Sequence, residues 1–438
     1  MTHSSTRKKV LIITYYWPPM GGGGVQRWLK MTKYLRDFGW EPVILTVQGG
    51  EGAVEDDSLS SQIPPDIETH RVKIWEPFSM YKKFTGKAQG EKLSPGVVSS
   101  KKATWSQKLS VWIRGNLFIP DARCFWIRPA SKFLDRYLQE HPVDAIVSTG
   151  PPHSTHMVAL NIKNKHRIPW LADFRDPWTN IDFYDKLMLT KWADRKHHIL
   201  ESKVLGSASK VVTVSQSWAE DFQNLAGVKP TVITNGYDPQ DFEHAGLVPL
   251  DDKFTLTHAG SLNHDRNPTT LWKVLGELGR EHAGFEDDLE IKLIGQVDLS
   301  AHQVLEEQDL NSNLRSINNL PHHQVVDELM RSRVLLLLLN NTSNIDGIIP
   351  GKLYEYLGAR RPVLCIGKET GDAARIIHET NSGFVVDFED HAKLKNIILE
   401  FYHAFKAGTL MVNSKHIEKY SRKILAGQIA EELHKISN

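Results

Sequence analysis

A chain of 438 residues is too long for one ordinary hydrophobic core and reads most simply as two domains. Its 40% hydrophobic and 24% charged residues are those of a globular protein, and a formal net charge of +1 gives no general attraction for nucleic acid. Cys124 and Cys365, the two cysteines, exclude a disulfide scaffold and a thiolate metal site. No signal peptide or membrane span is legible, so the expected location is the cytoplasm.

Residues 10–14 predict an apolar strand and 15–24 a loop ending in four glycines. Residues 25–38 predict a helix, with Val25, Trp28, Leu29, Thr32 and Leu35 at helical spacing. Residues 42–47 are the next strand, so the chain opens like a parallel doubly wound sheet. Glycines at the start of that helix let a ligand approach the backbone, which makes Gly22 and Gly23 candidates. The run lacks the G-x-x-G tail of a dinucleotide fingerprint, and no acidic residue ends the second strand, so a redox reading is weak.

Residues 71–130 break the rhythm, with twelve Lys or Arg against three Asp or Glu, a local +9. Trp75, Phe78, Tyr81, Phe84, Trp105, Trp112, Phe118, Phe125 and Trp126 are interleaved among them. Three readings stand: the segment binds single-stranded nucleic acid, it lies on an anionic membrane surface, or its aromatics fill a local core beneath solvated lysines.

The alternation resumes with a helix at 130–140, a strand at 144–149, a loop at 150–153, a helix at 156–164 and a strand at 169–172. A loop at 173–180, a helix at 190–208 and a strand at 210–214 follow. Loops after strands carry the ligands in open parallel sheets, which singles out His153, Asp173, Arg175 and Asp176. Asp173 and Asp176 flank Arg175 either as acid/base groups or as a local ion-pair network. His153 follows two prolines that fix its loop, and is either structural or part of a site.

Residues 231–234 read as a strand that ends in a turn-rich segment at 235–239, and 231–252 reads as a hinge between a first domain at 1–230 and a second at 253–410. In the second, 254–259 is a strand, 260–267 a loop, 268–278 a helix, 290–294 a strand before Gly295, and 334–339 an unbroken apolar strand. A Pro-Gly turn at 350–351 then starts a helix at 352–359, followed by a buried strand at 362–367. A helix N-terminus offers free N–H groups to an anion, and Lys352 adds a full charge in its first turn. Glu355 stands one turn on, where it can accept from the hydroxyls of a ribose. A plain αβ unit with a surface Lys and Glu is the alternative. Residues 411–438 are a helical return segment.

Four motifs in order carry a resemblance: Tyr16-Trp17-Pro18-Pro19-Met20-Gly21-Gly22, Val232-Ile233-Thr234-Asn235-Gly236-Tyr237-Asp238, Ala259-Gly260-Ser261-Leu262 with Arg266, and residues 350–364. With them the chain resembles a family-4 glycosyltransferase of the GT-B fold. The resemblance implies an α/β protein of two Rossmann-like doubly wound domains facing across a cleft, with a C-terminal helix crossing back to the first. It implies transfer of a sugar from a nucleoside diphosphate sugar to a hydroxyl of a sugar or lipid-linked acceptor, in cell-surface polysaccharide or glycolipid assembly. Retention of configuration comes with it, and the protein would work in the cytoplasm or peripherally on the inner membrane leaflet.

In that family an Arg follows the glycine after the first strand of the second domain, and a Lys follows five residues later. Here Ser261 and Arg266 hold those places, leaving one cation for Lys352 to supply. The family's E-x7-E pair has its second member in Glu355, whereas Gly347 holds the first place with Asp346 beside it. Donor contacts are therefore expected from Gly22, Gly23, Gly260, Ser261, Arg266, Gly295, Asp346, Gly351, Lys352, Leu353 and Glu355. The chemistry is expected from Asp173, Asp176, His153, Arg266 and Lys352. No Asp-x-Asp triplet occurs in the donor region, so protein cations are expected to do the work of a metal, with no further cofactor. A sugar-nucleotide epimerase and a non-catalytic sugar-nucleotide scaffold are the rival readings.

Overall fold

The computed structural model describes residues 7–50, 55–74, 105–318 and 320–438. Trp75, Phe78, Tyr81 and Phe84 of the basic, aromatic stretch lie outside the described residues. The chain divides into two compact units, Met1–Thr234 with Leu425–Asn438, and Asn235–Ile424.

The first unit holds β1 (Lys8–Ile13), β2 (Trp40–Gln48), β3 (Glu68–Lys73), β4 (Ala145–Gly150), β5 (Trp170–Phe174), β6 (Lys210–Thr213) and β7 (Thr231–Val232). They form one parallel sheet in the order β3-β2-β1-β4-β5-β6-β7. Val10, Leu11, Ile12 and Ile13 are all fully buried, as expected of a strand covered on both faces. Thr231 and Val232, within the stretch read as a strand leading into the hinge, pair with β6, and the Ile233 N–H donates to the Thr213 carbonyl at 2.8 Å. Leu425, Ala426, Ile429, Ala430 and Leu433 of the last helix, Arg422–Ile436, join the core of this unit beside Trp28, Leu29 and Trp40. A fully buried Leu or Ile contributes about 1.5–3 kcal/mol, so the return segment is integral to the unit.

The second unit holds β8 (Phe254–Ala259), β9 (Leu289–Ile294), β10 (Leu314–Ile317), β11 (Val334–Leu338), β12 (Val363–Ile366) and β13 (Gly383–Val386). Its parallel order is β10-β9-β8-β11-β12-β13. Leu335 and Leu337 enter one core cluster while Val334, Leu336 and Leu338 enter the other, which explains the unbroken apolar run of β11. Each sheet grows outward in both directions from a central pair, β1 with β4 in the first and β8 with β11 in the second. At such switch points the loops after the strands part and leave a crevice for a ligand.

Candidate active site

In the second unit the loops after β8, β9 and β11 bring five of the expected residues together. Gly260 and Gly295 adopt φ values of +111° and +120°, which side-chain-bearing residues rarely take. A Cβ on Gly295 would stand 3.0 Å from the Gly260 carbonyl oxygen, and one on Gly260 would stand 2.7 Å from Lys352 Nζ. Lys352 opens the helix Lys352–Ala359 and its ammonium therefore lies directly over the Gly260 backbone. Burial, reinforced by repulsion from Arg266 and opposed by Glu355, pushes its pKa down to about 7. Arg266 is fixed by donating from Nε to Asn340 Oδ1 at 3.1 Å and from Nη1 to the Ser261 carbonyl at 3.1 Å. Two cations thus converge on one glycine-lined turn, a place for a diphosphate.

Glu355, one turn along the helix, meets His322 Nε2 at 3.1 Å, and both side chains keep an exposed edge. His322 opens the helix His322–Arg331 and aims the carboxylate. Asp346 pairs with Lys368 at 2.7 Å, both nearly half exposed. Leu353 is corrected: its side chain is fully buried in the core, and its N–H is donated to the Pro350 carbonyl at 3.0 Å. The Tyr354 N–H likewise goes to Gly351 O at 3.2 Å, so this N-terminus keeps fewer free donors than a Pro-Gly start suggests.

In the first unit Gly22 caps the helix Gly23–Leu35 with φ +96°, and both Gly22 and Gly23 leave open space around them. Gly24 is crowded: a Cβ there would lie 2.9 Å from Arg175 Nη1. Arg175 donates to the Gly150 carbonyl at 3.2 Å and to the Pro151 carbonyl, tying the loop after β4 to the glycine run. His153 lies in that loop, buried and stacked on Trp178 with ring centroids 4.7 Å apart and planes 2° apart. Burial, then the neighbouring His156 and Arg175, holds the His153 ring neutral, well below its ordinary pKa. Its Nδ1 has no partner among the described residues.

Asp173 and Asp176 separate into different roles. Asp173 is the fourth residue of β5, fully buried, and accepts from Arg27 Nη2 at 2.9 Å, Arg27 Nε at 3.1 Å, Trp28 Nε1 at 2.7 Å and Thr149 Oγ1 at 2.9 Å. Burial raises its pKa, but the Arg27 charge and the bonds from Arg27 and Trp28 outweigh it and hold the carboxyl below its usual range. A carboxylate so satisfied is scaffold, and its expected part in the chemistry is withdrawn. Asp176 lies in the loop beyond, partly exposed, with no side-chain hydrogen bond among the described residues. Burial pushes its pKa up against the pull of Arg175, with Asp182 and Asp173 adding to the rise. That combination suits a proton acceptor.

A pair of units, each a doubly wound parallel sheet with its polar residues at the switch point, is the GT-B architecture, and the first of them carries a glycosyltransferase domain. Residues 22–236 match the glycosyl transferase 4-like domain family. Sucrose-phosphate synthase from Thermosynechococcus elongatus shares the fold, with a TM-score of 0.62 and 12% identity over 98% of this chain and 99% of that one. Anabaena HepE, solved with UDP-glucose, aligns with a TM-score of 0.61 and 14% identity over 98% of this chain and all of that one. A Listeria monocytogenes protein described as a UDP-N-acetylglucosamine 2-epimerase aligns with a TM-score of 0.56 and 10% identity over 99% and 98%. Among curated proteins none matches the sequence.

Proposed function

We propose that this glycosyltransferase moves a sugar from a nucleoside diphosphate donor to a hydroxyl acceptor, with retention and without a required metal. The observation that carries the reading is the Lys352 ammonium over Gly260 with Arg266 beside it. As the sugar–phosphate bond stretches, negative charge gathers on the leaving diphosphate, and cations already in place stabilise it without reorganisation. Glu355, aimed by His322, accepts from the ribose hydroxyls. Asp346 stands in for the missing first Glu near the donor sugar. Asp176 takes or orients the proton of the acceptor hydroxyl, and neutral His153 hydrogen-bonds a sugar hydroxyl. No covalent nucleophile is needed if the departing phosphate assists attack from the same face. Donors carrying UDP are the first to try, because HepE was solved with UDP-glucose.

The acceptor is read as lipid-linked, in cell-surface polysaccharide or glycolipid assembly, with the protein resting on the cytoplasmic face of an anionic membrane. Trp105 (78% exposed) and Leu117 (64%) on the helix Trp105–Leu117, together with Lys108 and Arg114, support this. The experiment for the catalytic assignment pairs a donor panel with free and lipid-linked saccharide acceptors. Asp176→Asn is expected to leave UDP affinity unchanged and to lower transfer by about 10²-fold or more. Transfer at the wild-type rate removes Asp176 from the mechanism.

A further inference from the structure

His258 is the fifth residue of β8 and is 1% exposed. Its Nδ1 lies 3.0 Å from the Leu336 carbonyl of β11, and a carbonyl can only accept, so the ring proton sits on Nδ1. The Nε2 lone pair then points at Lys352 Nζ, 3.3 Å away. The same Leu336 carbonyl accepts from the Tyr356 hydroxyl at 3.2 Å, and that hydroxyl accepts from the Ala259 N–H at 3.2 Å. β8, β11 and the helix Lys352–Ala359 therefore fix the imidazole from three sides.

We infer that His258 is a positioning residue for the donor diphosphate, a buried uncharged acceptor that holds the Lys352 ammonium over Gly260 without cancelling its charge. The inference rests on the nucleotide reading above. Buried polar groups need a partner, and among the described residues His258 Nε2 is the acceptor that meets Lys352 Nζ. A carboxylate at position 258 would supply one but neutralise the lysine. Glu355, the acidic side chain nearest along the helix, is engaged with His322 instead. The other groups facing this pair are Arg266 and the Ser261 backbone from the loop after β8 and Tyr356 from the helix. Burial, then the charges of Lys352 and Arg266, keeps His258 uncharged well below its ordinary pKa, against a smaller upward pull from the Leu336 and Ser261 backbone. Lys352 in the free protein accordingly titrates near neutral pH, and a bound diphosphate restores its proton.

The test is titration calorimetry of UDP, GDP and ADP into the full chain at pH 6 and pH 8, each in Hepes and in Tris. Wild type is expected to take up close to one proton per nucleotide at pH 8 and almost none at pH 6. His258→Leu should weaken binding at least tenfold, and His258→Gln, whose Oε1 can accept, should restore it to within about threefold. His258→Glu should abolish proton uptake by pairing with the lysine. A folded His258→Leu protein with wild-type affinity overturns the inference. Where that variant does not fold, wild-type proton uptake by His258→Glu overturns it equally. If wild type binds none of the three nucleotides, the nucleotide reading falls and the inference with it, whereas binding unaltered by every substitution refutes the role of His258 alone.

Discussion

Asp173→Asn separates scaffold from chemistry. Asp173 and Arg27 are both 0% exposed, and the carboxylate accepts from Arg27 twice, from Trp28 and from Thr149. Asparagine keeps one acceptor oxygen but turns an NH2 toward these donors and leaves the Arg27 charge buried without its counterion. Breaking a buried pair from one side costs about 3–5 kcal/mol. At roughly 2–4 °C per kcal/mol for a unit of this size, the first unit should melt about 6–20 °C lower in scanning calorimetry. Arg27 also donates to the Ile233 and Thr234 carbonyls at 2.9 and 2.6 Å, so the end of β7 should lose amide protection as well. Because the folded pKa of Asp173 is lowered from 3.8, this stabilisation is complete above that value and is lost as the pH falls through the lower folded one. Unchanged melting with lost transfer would refute the reasoning and return Asp173 to the chemistry.

Three further outcomes are expected. Lys352 has a folded pKa near 7 against 10.5 unfolded, so the unfolded chain binds more protons between those values. Unfolding free energy should therefore rise from pH 7 toward pH 10, and Lys352→Met should flatten that slope in urea titrations while removing nucleotide binding. Glu355→Gln should weaken UDP binding by about 1.5–3 kcal/mol, and His322→Ala by less, read by calorimetry, since the first removes an acceptor and the second only its aim. The protein should float with anionic but not neutral vesicles and be released by high salt, with Trp105→Ala and Trp112→Ala reducing binding, because each Lys or Arg near such a surface contributes about 1 kcal/mol. Equal flotation with both vesicle types, or with neither, would contradict membrane docking.

The central strands were legible because burial on both faces writes an unbroken apolar run: β8, β11 and the helix Lys352–Ala359 all fall where pattern and punctuation put them. The edge strands β3, ETHRVK, and β10, LRSI, were not, since polar residues on a half-exposed edge carry neither a run nor a clean alternation. Asp173 read as loop because an acidic residue normally ends a strand. What makes it strand is Arg27, 146 residues earlier, and no local pattern reports that partner. His258 was missed for the same reason, its significance depending on Lys352, 94 residues on. Lys352 and Glu355 could be singled out because their spacing from a helix start is local, and Arg266 came with the family resemblance, whereas His322, Asn340 and Tyr356 enter only through the packing of the second sheet.

The most direct test of the account is to incubate the purified chain with single nucleoside diphosphate sugars and no acceptor, and to follow donor and products by mass spectrometry. A glycosyltransferase with its diphosphate held by Lys352 and Arg266 is expected to hydrolyse one donor slowly, releasing nucleoside diphosphate and free sugar, and to lose this activity in Arg266→Ala and Lys352→Ala. Conversion of the donor to an epimer with the sugar still attached, or hydrolysis unaffected by both substitutions, would contradict it.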